Sequence, residues 1–150
     1  MNLFQSSHRA ALLERIHQLG PDSQRHWGTM ELPAALAHMR RQIELALGEL
    51  ELPTPKLGAL ALLRLPVLRE LVIFGVPFPK GAKTAPGLLQ ADADDIDEER
   101  RQLEAVIERA AQRGTDGPWT PHPLFGALGG RAWGTLMARH LDHHLRQFGV

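Results

Sequence analysis

Residues 133–150 read WGTLMARHLDHHLRQFGV. Set on a helix, their bulky apolar positions are Trp133, Leu136, Met137, Leu141, Leu145 and Phe148, a series with i, i+3, i+4 spacing. Two members of that series are missing, at positions 140 and 144, and both are histidine. Two imidazoles one turn apart therefore lie on the stripe that faces a core. Arg139, Asp142, His143 and Arg146 fall on the other side. Neutral imidazoles on a buried face need partners, and a metal ion satisfies both at once. Core or edge histidines bonded to backbone and to each other are the competing reading, and spacing alone leaves the two open. A different helix rotation would exchange His143 for His144.

The rest of the chain reads as helix and loop. Leu12, Leu13, Ile16 and Leu19 share one side of a segment from about residue 7 to 19, stopped by Gly20 and Pro21. A second helix is expected over 31–47, with Pro33 in its first turn and a stripe of Leu32, Leu36, Met39, Ile43 and Leu47. Residues 57–74 are apolar nearly all round, with Pro66 expected to kink or split them. Such a helix is expected at the centre of a bundle or in a subunit interface. Residues 75–91, GVPFPKGAKTAPGLLQA, form a Pro/Gly-rich loop that is either a binding element or a connector.

A fourth helix is expected over 94–113. Asp92, Asp94, Asp95, Asp97, Glu98 and Glu99 crowd its start, an order that suits the helix dipole better than it suits a metal site. No segment has the character of a strand. Four long helices predict an all-α domain spanning 1–150, an up-down-up-down four-helix bundle with long loops.

Composition narrows the function. Lys plus Arg and Asp plus Glu both number 17, a formal net charge of zero, which argues against a protein built to hold nucleic acid or an anionic membrane. No cysteine is present, so any transition metal needs nitrogen and oxygen ligands. The N-terminal residues resemble an amphipathic helix rather than a signal peptide. The longest apolar stretch contains Arg64, Pro66, Arg69 and Glu70, so no membrane span is expected. The expected compartment is the cytoplasm.

Eight histidines occur, at 8, 17, 26, 38, 122, 140, 143 and 144, against about three or four for average usage. His38 stands in the interior of the second helix, about a third of a turn from its stripe, which favours an edge or exposed position. His26 and Trp27 precede that helix as a packing staple. His122, between Pro121 and Pro123, either lines a pocket mouth or caps a turn. His8 and His17 read as surface residues.

Three blocks carry a resemblance: RHWGTMELPAALAHM, HPLFG and RAWGTLMARHLDHHLRQFGV. Together with VPFPKGAKTAP they resemble the DinB-like superfamily of metalloenzymes, in a branch of unknown function ending in HLDHHLRQF. The resemblance implies a DinB-like four-helix bundle. It also implies one divalent ion on three histidines, carried over as His38, His140 and His144. Gln147 stands where the superfamily's H-R-G-Q pattern has a glutamine, although Leu145 and Arg146 depart from it. Gly129 replaces a Ser or Thr cap at the last helix.

Three neutral imidazoles suit zinc, with nickel, iron or manganese as alternatives. The function expected is a metal-dependent enzyme, an S-transferase for a low-molecular-weight thiol or a small hydrolase, acting on a small molecule. Trp27, Phe74, Phe78, Trp119, Phe125 and Trp133 are expected to wall its pocket, with Lys80, Lys83 or Arg139 at the rim. A non-catalytic metal-binding or stress-related bundle is the alternative. The apolar third helix predicts a homodimer in either case. Di-iron binding is disfavoured because no Glu-x-x-His pair is present.

Overall fold

Three loop glycines and one proline set the limits of the helices in the computed structural model, which describes residues 1–53, 55–81, 86–89 and 93–150. Helix α1 spans Ser6–His17 and α2 spans Leu32–Leu47. Gly48 ends α2 in the left-handed region at φ 78°, and the Glu49 N–H closes back on the Glu44 carbonyl. Pro66 then breaks the apolar stretch into a 3-10 segment over Gly58–Arg64, a short α3 over Pro66–Glu70 and a π turn over Leu71–Gly75. Helix α4 spans Ile96–Arg113 and α5 spans Gly130–Gln147, with Gly114 and Gly129 at their flanks. The described residues are helical and loop, with no strand.

The four long helices pack α1 on α5, α5 on α2, α2 on α4 and α4 on α1. The expected stripes supply the core. Leu32, Leu36, Met39, Ile43 and Leu47 of α2 are buried, as are Trp133, Leu136, Met137, Leu141 and Leu145 of α5. Leu103, Val106 and Ile107 of α4 and Leu12 and Ile16 of α1 complete it. Burying each such side chain contributes about 1.5–3 kcal/mol.

Of the two places expected for the apolar 57–74 segment, the centre of the bundle is not the one it takes. Helix α2 takes that place, pressed by both α4 and α5. Within 58–75 only Ile73 is fully buried, while Leu60, Leu62, Leu65, Val67, Leu71 and Phe74 are exposed. The physical reason is that a segment cut at Pro66 into three short pieces has no long rigid face to insert between helices. Among the described residues, no helix is long and apolar enough to cross a membrane.

The acidic run at α4 behaves as a helix start. Asp95 Oδ1 accepts from the Asp97 and Glu98 N–H groups at 2.9 and 3.0 Å. Glu99 turns inward and takes Arg40 Nε at 3.1 Å. Asp92 lies outside the described residues.

Candidate metal centre

Helix α2 contributes one imidazole and α5 two, and the three rings form a nearly equilateral triangle. Ring centres are 4.7 Å apart for His38 and His140, 4.9 Å for His38 and His144, and 4.7 Å for His140 and His144. One nitrogen of each lies within 4.8 Å of the others, the only such group of potential metal ligands among the described residues. His38 is 4% exposed, which corrects its expected edge position. A single-stripe reading assumes one packing partner, whereas α2 is buried on two sides.

Two of the three rings are oriented from behind. His38 Nδ1 lies 3.2 Å from the Leu88 carbonyl, an acceptor, so that nitrogen carries the proton and Nε2 is bare. Arg41 donates twice to the neighbouring Gly87 carbonyl, at 3.1 and 2.8 Å, and so ties the same loop segment to α2. Gln147 Nε2 donates to the Trp27 carbonyl at 2.8 Å, which fixes the amide so that its oxygen faces His144 Nδ1 at 2.8 Å. His144 therefore also presents a bare Nε2. Gly28 makes room for this amide: a Cβ there would stand 2.7 Å from Gln147 Nε2.

His140 is the exception. Its Nδ1 is buried and has no partner among the described residues. Its Nε2 lies 3.0 Å from His38 Nε2. Either His140 turns an N–H onto His38, or two bare lone pairs face each other, an arrangement that repels unless a cation lies between them. A separation of 3.0 Å lets one ion stand about 2.0–2.1 Å from both nitrogens. The donor set of neutral imidazoles, two with fixed tautomers, fits a divalent transition metal.

Burial keeps the rings neutral. Desolvation is the main cause for all three: it lowers His38, pushes His144 down to about 3, and holds His140 well below the ordinary histidine range. The mutual repulsion of the rings adds to the effect on His140 and His144.

The other sequence candidates separate from the triad. His143 is half-buried against the rings of Trp27 and Phe78, at 6.0 and 6.1 Å, and borders the triad through His144. His122 caps a turn, its Nδ1 accepting from the Leu124 and Phe125 N–H groups at 3.1 and 3.3 Å. His17 is exposed and pairs with Glu104, while His8 accepts from the Asn2 N–H. His26 is exposed, with its N–H on the Gln147 carbonyl. Asp142 is held by Arg15 at 2.8 Å.

The expected aromatic wall does not form as one surface. Trp27 and Phe78 flank His143, but Phe125 and Trp133 are core, Trp119 stacks on Phe4, and Phe74 faces Arg131. Lys80 Nζ sits 4.2 Å over the Trp27 ring. Arg139 lies over Phe78 and donates to the carbonyls of Val72, Ile73 and Val76. Lys83 lies outside the described residues. The backbone carbonyls of Leu88 and Trp27 have no counterpart in the sequence reading, because a carbonyl carries no residue signature.

A family model described as "Protein of unknown function (DUF1569)" matches residues 3–149. The chain belongs to this family. No curated protein and no solved structure matches it. The DUF1569 match takes in all three histidines, together with Trp27, Gly28 and Gln147 that support one of them.

Proposed function

We propose that this DUF1569 chain is a metal-dependent enzyme on a DinB-like four-helix bundle, with His38, His140 and His144 as ligands of one divalent ion. The observation that carries the reading is the convergence of three buried, neutral imidazoles, two of them held from behind in the tautomer that ligation needs. Zinc suits this set, with nickel, iron or manganese as alternatives.

When bound, such an ion supplies Lewis acidity that lowers the pKa of a coordinated water or thiol. The chain's own residues define the surroundings. Neutral ligands leave the ion's charge uncompensated, which favours an anionic or thiolate group on the substrate. Trp27, Phe78 and His143 form a half-buried aromatic flank beside His144, and Lys80 supplies a positive charge next to it. Among the described residues no carboxylate joins the triad. These features support transfer of a low-molecular-weight thiol, or a small hydrolysis, on a small-molecule substrate in the cytoplasm. A nucleic-acid substrate finds no support in a chain of zero net charge.

A second reading, a non-catalytic metal-binding or stress-related dimer, draws on the exposed apolar side chains of 58–76. Homodimerisation through that segment belongs to either reading.

Elemental analysis of the purified protein, paired with a thiol-transfer screen, tests the proposal. Near one equivalent of metal per chain, lost in His140→Ala with the helical fold retained, is the expected result. A wild type that takes up no divalent metal at all would overturn it. Tight metal binding without any thiol-transfer or hydrolytic turnover would favour the second reading.

A further inference from the structure

A different face of α5 borders an open groove of its own. Arg131, Thr135 and Arg139 follow at i, i+4 spacing, on the side of the helix away from His140 and His144. With Asn2, Phe4 and Phe74 they border an open groove of about 580 Å³.

Its floor is firmly built. Asn2 Nδ2 donates to the Arg131 carbonyl at 3.1 Å and to the Thr135 hydroxyl at 3.2 Å. The Leu3 N–H bonds to the Gly134 carbonyl at 2.9 Å. Gly134 permits that approach, since a Cβ there would lie 2.5 Å from Asn2 Oδ1 and 2.7 Å from the Phe4 ring.

The lining has one sign of charge. Two guanidinium groups border it and no carboxylate does. Arg131 lies 5.3 Å from the Phe74 ring centre and makes no ion pair among the described residues. Arg139 spends its N–H groups on the carbonyls of Val72, Ile73 and Val76, which leaves its positive charge beside the groove. Phe74, 41% exposed, and Phe4 supply apolar walls.

We propose that this groove binds a small organic anion with an aromatic or apolar body, of the size of a benzoate-like carboxylate. The carboxylate pairs with Arg131, whose planar fork matches it, and the ring packs against Phe74 and Phe4. The inference is independent of the metal reading, because none of these residues is a candidate ligand of the triad.

Amide-resolved NMR titration of the full chain with sodium benzoate tests it, with benzamide as the neutral isostere. Saturable shifts at residues 2–5 and 131–135 are expected, with benzamide binding at least tenfold more weakly. Arg131→Gln, an exposed helix position that leaves the core intact, should weaken benzoate at least tenfold, and Phe74→Ala should weaken it as well. Shifts absent from these residues, shifts confined to the histidine triad, equal binding of benzamide, or a smaller loss in Arg131→Gln would each overturn the proposal.

Discussion

The side-chain amide of Gln147 bridges the Trp27 carbonyl and His144 Nδ1, at 2.8 Å on each side, and so determines which nitrogen of His144 is free. The arrangement makes a loop carbonyl, more than a hundred residues away in sequence, the element that decides the tautomer. Gln147 is only 4% exposed, so no solvent molecule readily takes its place.

Removing that amide should weaken metal binding while leaving the ligand set intact. Gln147→Leu is expected to lower zinc affinity about 10–100-fold in competition titrations with a chromophoric chelator. Gly28→Ala should reproduce part of the loss, because its Cβ would press on Gln147 Nε2 and its φ of 77° disfavours a side chain. Unchanged affinity in both variants would show that His144 is not oriented by this bond.

Metal removal should lower stability through the triad alone. Chelator-treated wild type is expected to melt several degrees below the zinc-loaded protein, since a ligand bound only to the native state adds about 4 kcal/mol at a thousandfold excess over its Kd. His38→Ala and His140→Ala should erase the difference between the two melting curves. A zinc-dependent rise in Tm that survives both substitutions would place the metal elsewhere.

The stripped protein should also be acid-sensitive. Burial pushes His144 down to about 3 and His122 down to about 4, against an ordinary value of 6.5. The unfolded chain therefore binds protons that the folded chain refuses. Stability is full above pH 6.5 and is lost as pH falls from there toward 4. His122 alone accounts for as much as ~3 kcal/mol over that range. His122→Phe should lose its turn cap, yet show a shallower fall of Tm with pH in calorimetry. An equally steep fall would remove His122 from this account.

Arg139 should act as the pin of the 71–78 segment. Its guanidinium serves the carbonyls of Val72, Ile73 and Val76, and Ile73 is the only fully buried residue of that segment. Arg139→Met is expected to cost about 1–3 kcal/mol locally and to speed amide exchange at 74–78, with α2 and α5 still protected. Uniform loss of protection across the molecule would mean a global role instead.

The sequence made α5 legible because one strict period placed His140 and His144 in the gaps of a buried stripe, and those rings do turn inward. Gln147 was suggested only by the resemblance to an H-R-G-Q pattern, not by that period. His38 was named as the third ligand by the resemblance, but its burial was not legible from periodicity, because its helix is gripped by α4 and α5 together and the edge of one stripe is the middle of the other contact. The placement of 57–74 was illegible for a different reason: hydrophobicity tells how greasy a segment is, not whether Pro66 leaves it long enough to insert. The supports from Leu88 and Trp27 are backbone atoms, which any residue could supply.

His38 and His140 meet across 102 positions of chain. An ion shared by them would fasten two distant stretches of polypeptide as a reversible staple, enclosing α4 and both long loops in one closed ring. Because that ring closes only in the folded chain, mass action ties its closure to the free ion, so the metal concentration in the surroundings would set how much of the protein stays folded through a heat pulse, whatever reaction it performs.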